Sequence, residues 1–148
     1  MFTGSYICTS FYTGLLGKDF DLTADTLKVA LYDDTATLTA ATTVYTLTGE
    51  LPTAGNYTAG GTAVTATITT SSTQNGTVVI VDFSDAVWAA ATFTTRGAML
   101  YDATNANAAI AIMDFGSNKT FTAATCTVQF PAATANAGFL VFATVLGG

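Results

Sequence analysis

Asp19, Asp21 and Asp25 form a D-x-D-x-x-x-D run with Asp33 and Asp34 close behind. Carboxylate oxygens at such spacing are the raw material of a calcium site. The run lacks the glycine and closing glutamate of a calcium-binding helix-loop-helix, so the expected role is capping of a helix end by Asp19 or Asp25. A second acidic set, Glu50, Asp82, Asp85 and Asp114, could in principle supply the two carboxylates of a glycoside hydrolase. These residues fall at expected strand ends and turns, where carboxylates are common, and nothing in their spacing selects two of them.

Nucleophilic catalysis has no visible base. Six serines are present, Ser5, Ser10, Ser71, Ser72, Ser84 and Ser117, and the chain contains no histidine to activate any of them. The glycine-rich stretch from Gly55 to Gly61 lacks the lysine and helix start of a phosphate-binding loop and reads as a turn or bulge. Cys8 and Cys126 stand far apart, outside any C-x-x-C pair. Free buried thiols are the expectation, with a disulfide between the amino-terminal arm and a late strand as the alternative. The residues therefore give no catalytic, cofactor-binding or metal-binding assignment.

Composition narrows the partners. Ten carboxylates against Lys18, Lys28, Arg96 and Lys119 give a formal charge of −6, which repels a phosphate backbone and argues against nucleic acid. Half of the residues are hydrophobic, yet no apolar run reaches the roughly 18 residues of a spanning helix, so no membrane partner is expected. No basic region precedes a long apolar stretch near Met1, and a secretory leader is not expected. The Asn-x-Thr patterns at Asn56, Asn75 and Asn118 then read as turn asparagines. With 9% charged residues, and threonine and alanine filling more than a third of the chain, the surface must be finished by hydroxyls and small side chains. Such a surface loses little charge hydration when it docks on another protein.

The elements that must carry these residues are mostly strands, in one expected domain spanning 1–148 with an amino-terminal arm and short helix in 1–25. Phe11, Leu15, Leu16 and Phe20 are spaced for one face of a helix within Thr9–Phe20, weakened by Gly14 and Gly17. Leu27, Val29 and Leu31 alternate with Lys28, Ala30 and Tyr32 as a strand. Further strands are expected at 43–48, 61–70, 77–83, 87–93, 97–101, 108–115, 124–130 and 138–145, with Asn75-Gly76 as the clearest hairpin turn. Thr35 to Gly61 reads as a long loop or an excursion onto a neighbouring subunit. Short strands punctuated by turn residues imply an all-β fold, an antiparallel β-sandwich of jelly-roll or immunoglobulin-like kind. Most aromatic rings, Phe83, Phe93, Phe115, Phe130, Phe139 and Phe142 among them, are expected in its core. Arg96 at a strand entrance could pair with an acidic turn residue or anchor an interface.

Six segments in order resemble a family of small virion structural proteins of tailed bacteriophages. They are Thr26-Leu27-Lys28-Val29-Ala30-Leu31-Tyr32; Thr48-Gly49-Glu50-Leu51 leading to Gly55-Asn56-Tyr57-Thr58-Ala59-Gly60-Gly61; Val81-Asp82-Phe83-Ser84-Asp85 followed by Trp88; Ala91-Thr92-Phe93-Thr94-Thr95-Arg96-Gly97-Ala98; Met113-Asp114-Phe115-Gly116; and Val128-Gln129-Phe130-Pro131. The resemblance runs from about Phe11 to Pro131. It implies a non-enzymatic head decoration or cement protein that is assembled in the host bacterial cytoplasm and sits on the capsid exterior. There it would bind the major capsid protein as a homo-oligomer, a trimer being favoured. Arg96, Trp88 and Tyr57 are the residues expected at such an interface. A tail or fibre-associated protein would have the same composition, and a carbohydrate-binding module using Trp88 and exposed tyrosines is the reading from another class.

Overall fold

β-Branched and aromatic residues recurring between turn residues favour extended backbone over most of the chain. The computed structural model describes residues 1–73, 76–134 and 138–143. In chain order the elements are β1 (Tyr6–Ile7), α1 (Thr9–Gly17), β2 (Leu27–Tyr32), β3 (Thr62–Val64), β4 (Ala66–Thr73), β5 (Gly76–Phe83), β6 (Ala86–Asp102), β7 (Ala108–Val128) and β8 (Leu140–Ala143). They make two antiparallel sheets, one in the order β1-β7-β6-β2-β3 and one in the order β4-β5-β8. The fold is the expected all-β architecture of two antiparallel sheets with one short helix. Among the described residues no helix is long and apolar enough to cross a membrane.

The larger sheet is built on β2 and β6, which pair from Leu27↔Asp102 to Tyr32↔Gly97. Alternation in β2 predicts one buried face, but Leu27, Val29, Ala30, Leu31 and Tyr32 are all buried. The chain between β2 and β3 folds back along the edge of β2 beyond β3, where Tyr32 bridges to Glu50. Ala36, Leu38, Leu51 and Tyr57 are buried in this excursion, and Leu51 N–H donates to Leu31 O at 2.9 Å. The strand expected at 43–48 is reduced to a single bridge between Val44 and Ala108.

Helix α1 is shorter than its apolar spacing suggests. Lys18 adopts a left-handed conformation that ends it, and Leu16 is 84% exposed instead of sharing a buried face with Phe11. Phe20 returns after the turn to pack edge-on against Phe11, with ring centroids 5.0 Å apart. Gly14 makes room for it, since a Cβ there would lie 2.6 Å from the Phe20 ring. β1 carries no strand signal of its own and forms by pairing Tyr6 and Ile7 with Ile112 and Ala111.

The four strands expected at 87–93, 97–101, 108–115 and 124–130 merge into the two long strands β6 and β7. Their hairpin runs from Asp102↔Ala108 out to Ala86↔Val128. Gly116-Ser117-Asn118 looks like a turn in sequence but is absorbed within β7, with Gly116 at φ +77°. Ala90 and Ala123 also have positive φ, and the register shifts on either side of Ala91, so the hairpin bends at irregularities instead of stopping. In the smaller sheet Thr73 pairs with Gly76; Asn75 of the expected turn lies outside the described residues, as do Thr144 and Val145 of the expected last strand.

Gly61 and Gly116 share a left-handed backbone, φ +76° and +77°. A Cβ at Gly61 would run into the Val29 carbonyl of β2, whereas nothing lies within 4 Å of one at Gly116. Gly116→Ala should therefore cost only the conformational penalty of about 1 kcal/mol, while Gly61→Ala adds backbone displacement in the central sheet for a loss of roughly 2–4 kcal/mol. Urea unfolding of both variants measures the difference; equal losses would contradict the close approach.

Candidate functional site

Among the described residues, all but one of the carboxylates suited to chemistry by type are engaged elsewhere, Asp19 being the exception. Asp21 Oδ1 accepts hydrogen bonds from Thr23 N–H, Thr23 Oγ1 and Ala24 N–H, which hold its carboxyl below the usual range, and Asp25 Oδ2 accepts from Asp21 N–H. The acidic run thus closes a turn before β2 and does not cap a helix end as expected. Asp82 Oδ1 accepts from Phe83 N–H, and Asp85 Oδ1 from Phe130 N–H at 3.1 Å. Among the described residues no three Cys, Asp or Glu side chains gather where a metal ion could be held. Cys8 and Cys126 are free and buried, and burial pushes both thiols up to about 11.

Glu50 has a different task. Its Oε1 accepts from Tyr57 OH and from Gly60 N–H, each at 2.6 Å, and its Oε2 accepts from Tyr45 OH at 2.5 Å. Tyr45 stacks on Tyr101 with centroids 4.5 Å apart, Tyr101 OH donates to Gly60 O, and Tyr32 OH donates to Thr46 O. Burial, then the neighbouring Glu50 carboxylate, pushes the hydroxyls of Tyr32, Tyr45, Tyr57 and Tyr101 above their ordinary value, so all four remain donors. The result is a fixed brace between the long excursion and the larger sheet.

That brace positions the distal half of the β6–β7 hairpin, residues 86–96 and 115–128. Thr92 N–H donates to Gly55 O, and Asn56 Nδ2 donates to Ala89 O and Ala90 O. The Tyr57 ring meets Trp88 and Phe93 at 6.0 Å, and Phe93 meets Phe121 at 5.7 Å. The inner face of this arm is therefore core. Away from these rings the arm is open: from Gly116 to Thr125 every residue of β7, on either side of the strand, is exposed except Phe121, which is half-buried. The arm contains none of the ten carboxylates, only Arg96 and Lys119 among charged residues.

At the base of the arm, Arg96 Nε and Nη2 donate to the two oxygens of Asp114 at 2.9 and 3.2 Å. Asp114 Oδ1 also accepts from Gly116 N–H, and Ser5 Oγ accepts from Asp114 N–H. The Arg96 guanidinium holds the Asp114 carboxyl below its usual range. An ion pair is thus what Arg96 makes, but its partner lies within β7 and not in a turn as expected. Of the three residues expected at an interface, Tyr57 is 1% and Trp88 6% exposed, so both rings are spent inside the chain. The carbohydrate-binding reading loses its Trp88 platform in the same way. Arg96, with its side chain 20% exposed, is the one of the three that reaches the surface. The open face of β7 was hidden from sequence reasoning because its threonines and alanines read as ordinary strand residues.

No family model, no curated protein and no solved structure matches this chain.

One buried acid stands outside both networks. Asp102 is fully buried; its Oδ1 accepts from Thr104 and Asn105 N–H, while Oδ2 has no N–H donor and faces the Asp25 carboxyl. Burial first, and the Asp25 carboxyl next to it, raise the Asp102 carboxyl above its ordinary 3.8, against the two N–H bonds. The unfolded chain releases this proton first, so the native state is fully favoured below pH 3.8 and loses stability as pH rises through the elevated value. Asp102→Asn keeps an acceptor for the two N–H groups and gives Asp25 a donor. Its melting temperature should match wild type near pH 3.8 and exceed it at pH 7, by on the order of 1 kcal/mol of stability. A variant less stable than wild type at pH 7 would contradict this account.

Proposed function

We propose that this chain is a non-enzymatic virion structural protein of a tailed phage, a decoration or cement protein that binds the outer capsid shell through the distal β6–β7 arm. Two things support the reading: six segments in the order of that family, and an arm whose own residues include no carboxylate on a chain of net charge −6, the exposed Asp34 carboxylate of the excursion meeting it only where it accepts from Asn118 Nδ2 at 3.1 Å. The arm is the observation that carries it. Its exposed threonines and alanines can be desolvated at little cost, and its strand backbone holds them in a fixed row. Added contact across neighbouring shell subunits then favours the assembled head by mass action, with the chain acting as a homo-oligomer on the shell.

Heads assembled without the protein should release their DNA several degrees below complete heads, and antibody labelling of virions should decorate the head. Label confined to the tail would replace this reading by the tail or fibre one. Thr122→Glu combined with Thr125→Glu puts two carboxylates on exposed arm positions. Surface substitutions of this kind change stability by about 0.5 kcal/mol or less, so the variant should unfold like wild type. Burying either charge without a partner costs more than ~1.4 kcal/mol, so head occupancy should fall at least about tenfold. Full occupancy by the double variant would show that the arm is not the docking face.

A further inference from the structure

A cleft of about 490 Å³ separates α1 from the β6–β7 turn and the 43–44 stretch, lined by Thr13, Asp19, Phe20, Thr43 and Asn105, with Ser10 beside them. Its walls are fixed by the fold. Asp102 Oδ1 holds the Thr104 and Asn105 N–H groups, Ala106 and Asn107 complete the turn in left-handed conformations, and Asn105 Nδ2 donates to the Asp19 carbonyl at 2.6 Å. Phe20 is held edge-on against Phe11.

What the polar part of these walls offers a ligand is mostly acceptor capacity, beside an apolar part made by Phe20, Val44, Ala106 and Ala108. Among the described residues the Asp19 carboxylate, the Asn105 Oδ1 and the Thr43 hydroxyl have no hydrogen-bond partner, and Thr13 Oγ1 uses its proton on Ser10 O and keeps its lone pairs. The Ser10 hydroxyl is buried without a partner. No cation lines the cleft, so an anion would meet the Asp19 carboxylate uncompensated. One carboxylate among neutral oxygens is a poor metal set. Five polar side chains facing Phe20, Val44, Ala106 and Ala108 make a mixed wall, poor for a wholly apolar ligand.

A ligand rich in hydroxyl donors, uncharged, with a C–H face for the Phe20 ring, matches every wall. We propose that this cleft binds a neutral hexose unit of a glycan, with Asp19 and Asn105 accepting from ring hydroxyls. The site is remote from the buried Trp88 and independent of where the protein sits on a particle.

Saturation-transfer NMR with the methyl glycosides of glucose, mannose and galactose tests it, with glucuronic acid as the charged control. At least one neutral glycoside should receive saturation, and glucuronic acid should bind more weakly than the best of them. Asp19→Ala retains the carbonyl that Asn105 uses, and Thr43→Val replaces a hydroxyl with no partner. Asp19→Ala should weaken binding about tenfold or more, the cost of one lost hydrogen bond to a charged group, and Thr43→Val, which removes a neutral exposed hydroxyl, by about two- to tenfold. Absence of transfer from all three glycosides, tighter binding of glucuronic acid, or unchanged binding in both variants would overturn the proposal.

Discussion

The Glu50 carboxylate is the constraint on which the rest of the structure depends. Between β2 and β3 the chain makes its longest excursion, and ordering it costs conformational entropy at every residue. Apolar burial by Ala36, Leu38, Leu51 and Tyr57 offsets part of that cost, but burial is non-directional and does not choose one path for the chain. Direction comes from Glu50, whose two oxygens collect two tyrosine hydroxyls and one backbone N–H. Hydrogen bonds to a charged acceptor contribute about 1.5–3 kcal/mol each, and all three are lost together if the carboxylate leaves. Tyr57 extends the effect, since its hydroxyl also accepts from Leu31 N–H of the central strand at 3.0 Å.

The brace then reaches the surface. Gly55 and Asn56, held in place by the Glu50 network, fasten the backbone of β6 where Ala90 breaks the regular ladder. The inner face of the arm fills with Tyr57, Trp88 and Phe93, and this frees the outer face from any structural duty. Charge is sorted by the same arrangement. Most carboxylates close turns, brace the excursion or pair with Arg96 at the foot of the arm; none belongs to the arm itself, and Asp34 of the excursion reaches it at Asn118. A face built this way loses little hydration on contact and makes no demand for a charged partner.

Local pattern accounts for more of the fold than of the surface. Strand content, the short helix, the β4–β5 hairpin and the burial of Phe83 and Phe130 follow from alternation and turn residues, because each depends on neighbours within a few positions, whereas Phe142, expected in the core, is 44% exposed. Fusion of four strands into β6 and β7 does not, since Gly116-Ser117-Asn118 reverses the chain only where no partner strand continues past it. The fate of Leu16 depends on Lys18 adopting a left-handed conformation so that Phe20 can fold back onto Phe11, a contact the helical period cannot encode. Tyr57 and Trp88 look available in sequence because an aromatic among threonines resembles a surface platform. Their burial is set by an excursion that comes from elsewhere in the chain. The cleft beside α1 likewise joins residues from four separate segments, with no motif in any one of them.

An exposed strand can be used through its side chains or through its unpaired backbone edge, and the structure favours the first. β1 covers the outer side of β7 only at Ala111 and Ile112, and Ser5 extends that cover to Asp114; beyond it no strand among the described residues pairs there. Such an edge invites uncontrolled pairing between copies. Here it is interrupted twice, by the left-handed Ala123 and by the charged Lys119, both common devices against edge-to-edge aggregation. Pairing along its whole length would require straightening the Ala123 irregularity, which Thr92 Oγ1 stabilises by accepting from Ala123 N–H. Below that irregularity the open face is ordered: Thr94 and Thr120 are hydrogen-bonded to each other across the strands at 2.9 Å. Docking through that face, as proposed, would be selective, because it needs a matching surface, whereas an open edge would accept any extended chain.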